Sequence, residues 1–332
     1  MSLQVKVGVL GAGSWATALV KILNENQHRV NWYVRNKEIR HHLSEIGHNP
    51  NYLSSVSFHI AQNSIEADLE EVINNSDIVV IAIPAAFIKS SLAHLPENIF
   101  EGKQVVSAVK GMIPEDNLIL AEYFNQQFNV PFKSFGVISG PCHAEEVALE
   151  KLSYLTMASQ DKDFAELLTQ LFRCRYIHAN PTDDIFGTEY AAVLKNIYAL
   201  VSGICHGLGY GDNFQAVFIS NASKEMERFI RAVHPINRDI KDSAYLGDLL
   251  VTAYSQFSRN RTFGTMIGKG YTVKSAQLEM NMVAEGYYAT TCIHNINKEI
   301  QADIPIVDAA YNILYARHAP ILEIRLLTER LI

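Results

Sequence analysis

A chain of 332 residues exceeds the size at which one hydrophobic core usually stops growing, so two domains are expected. With 48% hydrophobic and 19% charged residues and a formal charge of -7, it reads as an ordinary globular protein that does not work by neutralising many nucleic-acid phosphates, and a small-molecule ligand is expected. Cys142, Cys174, Cys205 and Cys292 show no paired spacing and no zinc-type His/Cys cluster, which argues against both a disulfide framework and a metal site.

In chain order, the first half alternates short β-branched runs with amphipathic stretches. Strands are expected near Val5–Leu10, Val30–Val34, Ile78–Ile83, Val105–Val109 and Phe135–Ser139, and helical patterns fall at Trp15–Glu25, Ile65–Asn74 and Leu118–Phe128. Such alternation builds βαβ units on a parallel sheet. Met1–Lys6 lacks an apolar signal core, and the longest apolar run, Ile78–Ile88, is broken by Pro84, so no transmembrane segment and a cytoplasmic location are expected. After about Gly187 long helical patterns take over. Thr188–Gly207 keeps Tyr190, Val193, Leu194, Ile197, Leu200, Val201 and Ile204 at spacings of three and four, the mark of a buried helix. The expected division is 1–187 and 188–332, with the ligand in the crevice between the halves.

Directly after the first strand comes Gly11-Ala12-Gly13-Ser14-Trp15-Ala16, a GxGxxA form of the dinucleotide-binding fingerprint. Gly11 permits the tight turn, Gly13 lets a pyrophosphate approach the backbone, and small Ala16 lets the helix sit close to the strand. A Rossmann-like, doubly wound α/β domain followed by an all-α domain is therefore expected. Where the ribose-binding acid usually follows the second strand, Val34-Arg35-Asn36 stands instead. Arg35 could pair with a 2′-phosphate, which favours NADPH weakly over NADH, or could be a solvated surface residue.

Lys110 ends a buried strand, where open α/β sheets hold ligands, and is readable either as an anion-attracting ammonium or as a surface lysine. In Ser139-Gly140-Pro141-Cys142-His143, Gly140 allows backbone contact with a ligand, Cys142 reads as a small lining residue, and His143 is as readable as a cap as it is as a base. Lys195 lies midway along the apolar helix, and Asp248 sits in the equally apolar Leu246-Gly247-Asp248-Leu249-Leu250. Opposite charges account for each other's burial. The pair is either a structural ion pair or an acid/base site in which a desolvated ammonium gives its proton near neutral pH. Ser258-Arg259-Asn260-Arg261 places a capping serine, an arginine and an asparagine at a loop-to-helix junction suited to phosphate, whereas Arg261 could be merely solvated.

Together these segments resemble the bacterial-type NAD(P)-dependent glycerol-3-phosphate dehydrogenases from about Val7 to Thr290: GAGSWATA, VKG, SGPCHAEEVA, LKNIYAL, GDLLVT, SRNRTFG and VAEGYYAT occur in the family's order. The resemblance implies cofactor contacts from Ser14, Trp15, Arg35, Lys110, Ala144, Arg259, Val283 and Glu285, beside the fingerprint's Gly11 and Gly13. It implies substrate contacts from Lys110, Gly140, Cys142, Lys195, Asp248, Ser258, Arg259 and Asn260, with Lys195 as the proton-transferring group. Cys142 stands where the family usually has Ser or Thr, Ala16 replaces a frequent glycine, and Phe214–Glu227 follows no family pattern.

The expected reaction is reduction of dihydroxyacetone phosphate to sn-glycerol 3-phosphate, with Lys195, Lys110 and Asp248 as catalytic residues, NAD(P)H as cofactor, and no nucleic-acid partner. A homodimer is admitted, without the oligomeric state being fixed. Two rivals remain at this point. A β-hydroxyacid dehydrogenase of the same architecture would act on carboxylates, which the phosphate-suited SRNRTFG turn opposes. A non-catalytic NAD(P)-binding protein would have no need of Lys195.

Overall fold

The computed structural model describes residues 5–280 and 284–332. Two compact units divide the chain: one runs to Val109 and resumes over Leu120–Ile185, while the other joins Lys110–Ile119 to Phe186–Ile332. The short segment after Val109 thus belongs with the helical half, whereas the sequence reading keeps it with the first.

The first unit contains strands β1 (Val7–Leu10), β2 (Val30–Tyr33), β3 (Asn63–Glu66), β4 (Ile78–Ile81), β5 (Gln104–Ser107), β6 (Phe135–Ser139), β7 (Ser153–Ser159) and β8 (Ile177–Thr182). Its helices are α1 (Ser14–Glu25), α2 (Lys37–Glu45), α3 (Leu69–Asn74), α4 (Ala85–Leu92), α5 (Leu120–Phe128), α6 (Ala144–Ala148) and α7 (Lys162–Phe172). They build one sheet in the order β3-β2-β1-β4-β5-β6-β7-β8. Every pairing is parallel except β6 with β7, where Val137 faces Ala158. The strand order reverses direction beside β1, creating the switch point at which such sheets bind nucleotides. All residues of β1 and β4 are buried, as expected for strands covered on both faces.

One expected helix is shorter than the sequence pattern suggests. Ile65 belongs to β3, and α3 starts only at Leu69, where the Asp68 carboxylate accepts the Glu70 N–H. The side chain–backbone bond fixes the helix start later than the apolar spacing does. Strands β7 and β8 had no counterpart in the expected set. Edge strand β8 alternates buried Ile177 and Ala179 with exposed His178 and Asn180 and carries Pro181, a residue that edges tolerate.

The second unit contains α8 (Ile185–Gly207), α9 (Asp212–Val233), α10 (Asp248–Tyr254), α11 (Arg259–Gly268), α12 (Val273–Glu279), α13 (Glu285–Ile300), α14 (Pro305–Leu314) and α15 (Pro320–Thr328), with a π-helical turn at Ser243–Gly247 leading into α10. The segment without family pattern, Phe214–Glu227, is an ordinary part of α9, burying Phe218, Ile219, Ala222 and Met226. Buried Glu225 reaches from α9 to the start of α14, accepting the Ile306 and Val307 N–H groups at 2.8 and 3.1 Å. It supplies the cap that the chain beside α14 lacks.

Helices α8 and α11 approach through glycines on both sides. A Cβ added at Gly203 would lie 2.1 Å from the Arg261 carbonyl oxygen, and one at Gly264 only 1.9 Å from that of Leu200. Gly207 and Gly268 face each other one turn further on, with added Cβ atoms 2.9 Å from each other's Cα. No side chain separates the two backbones, and the start of α11 is thereby held beside the middle of α8.

Candidate active site

The turn after β1 is built to present backbone N–H groups. Gly11 has a φ of 125°, and a Cβ there would meet the Ala82 carbonyl oxygen at 2.7 Å, so only glycine fits without strain. The turn's carbonyls are tied back into the protein. Buried Trp32 donates its indole N–H to the Gly11 oxygen at 2.6 Å, Asn49 donates to Ala12 at 3.0 Å, and Thr17 Oγ1 donates to Gly13 at 2.9 Å. With the acceptors turned inward, the start of α1 is left to an anion. Gly13 offers no side chain as cap, and a Cβ added there would meet nothing within 4 Å. The open space, the uncapped helix start and its positive dipole end fit a pyrophosphate.

Beyond β2, Arg35 is exposed, and Asn36 caps α2 by accepting the Glu38 and Ile39 N–H groups. Arg40 donates to the Val34 and Arg35 carbonyls, both at 2.7 Å, and so braces the turn that carries Arg35. At the carboxyl end of β6, Gly140 takes a φ of 109° beside the Tyr154 carbonyl, and Cys142 and Ala144 are buried.

The chemistry-bearing cluster lies in the second unit. Lys195 from α8 places its ammonium 2.5 Å from Asp248 Oδ1 of α10, and Lys110 Nζ stands 3.4 Å from Asp248 Oδ2. The side chains of Lys195 and Asp248 are only 4% and 1% exposed, against 20% for Lys110. Burial pulls the Lys195 ammonium down to a pKa of about 7, opposed by the Asp248 carboxylate and assisted by the neighbouring Lys110. Burial disfavours the charge on Asp248 as well. Two ammonium neighbours outweigh that effect and hold its pKa below the usual value. The carboxylate stays ionised while the lysine is poised to exchange a proton at neutral pH.

Asn196, next to Lys195, donates to the Lys110 carbonyl oxygen at 2.6 Å, and Thr252 donates its hydroxyl to the Asp248 carbonyl at 2.6 Å. Neither was singled out from the sequence, although Thr252 lies one helical turn beyond Asp248 and Asn196 touches the key lysine. At the start of α11, Ser258 Oγ accepts the Arg261 N–H, which leaves the Arg259 and Asn260 N–H groups to open the helix, with the Arg259 side chain exposed. The Asn260 amide is engaged inside the protein, donating to Asn196 and accepting from the Gly286 N–H. Glu285 stands half-buried in the first turn of α13, while Val283 lies outside the described residues.

A protein-family description of the N-terminus of NAD-dependent glycerol-3-phosphate dehydrogenase matches residues 6–165, and one of its C-terminus matches residues 184–324. The chain belongs to this family. A glycerol-3-phosphate dehydrogenase [NAD(P)+] of Listeria monocytogenes is 35% identical over 315 residues, covering 94% of this chain and 92% of its own. A namesake from Staphylococcus carnosus is 34% identical over 313 residues, or 93% of each chain. The crystal structure of glycerol-3-phosphate dehydrogenase from Coxiella burnetii superposes with a TM-score of 0.90 at 25% identity, over 98% of this chain and 99% of that one. The glycerol-3-phosphate dehydrogenase family thus embraces both units, as the order of the seven sequence segments anticipates. Among the described residues no helix is long and apolar enough to cross a membrane.

Proposed function

We infer that this chain catalyses the NAD(P)-dependent, reversible reduction of dihydroxyacetone phosphate to sn-glycerol 3-phosphate, an oxidoreductase step at a CH–OH centre that supplies the glycerophospholipid backbone. The observation that carries this reading is the buried Lys195–Asp248 pair at 2.5 Å, with the lysine poised near pH 7 beside a second ammonium.

Residues 1–187 hold the cofactor and residues 188–332 the substrate and the proton-transferring group, with Lys110 as the exception in sequence order. Gly11, Gly13, Ser14 and Trp15 cradle the pyrophosphate; Lys110, Ala144, Arg259, Val283 and Glu285 complete the cofactor contacts. NAD(P)H, when bound, supplies the hydride that reduces the ketone carbon. The substrate phosphate rests on the start of α11, held by the Arg259 guanidinium, the N–H groups there and the capping Ser258 and Asn260 segment. Gly140 and Cys142 line the substrate. Lys195 donates its proton to the carbonyl oxygen, Lys110 offsets the negative charge developing there, and Asp248 orients both amines. In the reverse direction Lys195 accepts the proton from the alcohol.

The test follows NADPH and NADH oxidation with dihydroxyacetone phosphate in wild type and Lys195→Ala. Loss of one acid/base group should lower kcat by about 10²–10⁴-fold; a rate near wild type sinks the assignment. Exposed Arg35 supports a preference for NADPH. Arg35→Ala should raise the KM for NADPH by about tenfold while leaving that for NADH nearly unchanged, and an equal effect on both cofactors would remove the preference. A homodimer is supported by α15, which exposes Ile321, Leu322 and Leu326 at 63, 60 and 57%. Light scattering on the purified chain decides that point. The four unbridged cysteines support work in the reducing cytoplasm.

A further inference from the structure

Lys110 presents its amine from a segment outside helix and strand, just past the end of β5 at Ser107, on a stem with four rotatable bonds. Its contact with Asp248, at 3.4 Å, is looser than that of Lys195. The backbone at position 110 sets where that stem begins. A chain of three hydrogen bonds reaches that backbone. The Gly286 N–H donates to Asn260 Oδ1 at 2.9 Å, Asn260 Nδ2 donates to Asn196 Oδ1 at 2.9 Å, and Asn196 Nδ2 donates to the Lys110 carbonyl oxygen at 2.6 Å.

The ends of the chain determine its sense. A backbone N–H can only donate and a backbone carbonyl can only accept, so turning either amide around would set donor against donor. Both asparagines are nearly buried, at 5 and 7% exposure, where an unmatched amide group is costly. The starts of α11 and α13 are held close to the middle of α8. A Cβ at Gly286 would lie 2.5 Å from the Asn196 carbonyl oxygen, so α13 rests directly on α8.

We propose that Asn196 is a positioning residue for the reaction: its buried amide, oriented through Asn260 by the start of α13, fixes the Lys110 backbone and so aims the Lys110 amine at the reacting oxygen. The inference rests on the role given to Lys110 above. The link also ties the start of α13 to the lysine, so that two sequence-distant segments of the family pattern act on one amine.

A double-mutant cycle tests it, with kcat/KM for dihydroxyacetone phosphate and NADPH measured at enzyme concentrations high enough to follow slow variants. Asn196→Asp keeps the volume but cannot donate to the carbonyl, and Asn196→Ala removes the amide. In the wild-type background each should lose about tenfold or more; in Lys110→Ala each should lose less than about threefold, because the lysine it serves is gone. Equal losses in both backgrounds, or no loss in the first, overturn the inference while leaving Lys110 its role. If neither Asn196 variant folds, the amide serves to hold α8 and α11 together, and the inference fails as well. Should Lys110→Ala itself run at the wild-type rate, the reading of Lys110 fails first and takes the inference with it.

Discussion

At the scale of single residues, the site turns on an ammonium that burial and a neighbouring cation have made easy to deprotonate. With Lys195 as the proposed acid, the reductive direction needs its protonated form, whose fraction falls as pH rises through about 7. Turnover of dihydroxyacetone phosphate should therefore decline above that pH, and oxidation of sn-glycerol 3-phosphate should climb through the same inflection. Lys110→Met removes a cation that pulls the Lys195 pKa down, so the inflection should move to higher pH. A rate profile flat from pH 6 to 9 in both directions would take the proton-transfer role away from Lys195. Lys195 and Asp248 were legible in the sequence because a charge on an apolar helix has few explanations. Asn196 and Thr252 were not, since an amide or a hydroxyl suits many environments. The partner that gives Asn196 its meaning, Lys110, lies 86 positions away.

At the scale of elements, the crossing of α8 and α11 sets the distance between Lys195 and the start of α11. Gly264→Ala would drive a methyl group into the Leu200 carbonyl, and the helices would have to separate. A loss of about 1–3 kcal/mol is expected from overpacking of this kind, read from urea denaturation, together with a fall in kcat/KM as the start of α11 shifts. A variant as stable and active as wild type would show that the crossing tolerates more room than its geometry indicates. Periodicity made the βαβ half and the long helix α8 readable, and the fingerprint turn fell where it was expected. The glycines were not readable as a contact, because Gly203 and Gly207 gain meaning only when Gly264 and Gly268 are found opposite. Strand β3 escaped for a related reason: Ile65 fits a helical apolar face as well as a pleated one, and the Asp68 cap decides between them.

For the molecule as a whole, two buried charges impose opposite pH dependences on stability. Burial pushes the Glu225 carboxyl up to about 8 against the pull of the Ile306 and Val307 N–H groups. Between its ordinary value of 4.5 and about 8 the folded chain thus holds more protons than the unfolded one, and stability falls as pH rises across that window. Lys195 acts in the other sense. Its value is lowered from 10.5 to about 7, so between those limits the unfolded chain holds more protons and stability increases with pH. Glu225→Gln keeps an acceptor for α14 but cannot ionise; urea midpoints at pH 5, 6.5 and 8 should decline less steeply in this variant than in wild type. Parallel declines would mean that Glu225 stays charged throughout.

The chain has two tryptophans, and the nucleotide turn treats them differently. Trp32 is fully buried and spends its indole N–H on the Gly11 carbonyl, whereas Trp15 stands half-buried in the first turn of α1, where the pyrophosphate is expected. The two indoles should therefore respond differently to bound cofactor, Trp32 as the steadier emitter and Trp15 as the reporter. In Trp15→Phe the fluorescence change on titration with cofactor should disappear, while a conservative replacement of Trp32 should loosen the turn and weaken binding without silencing the signal.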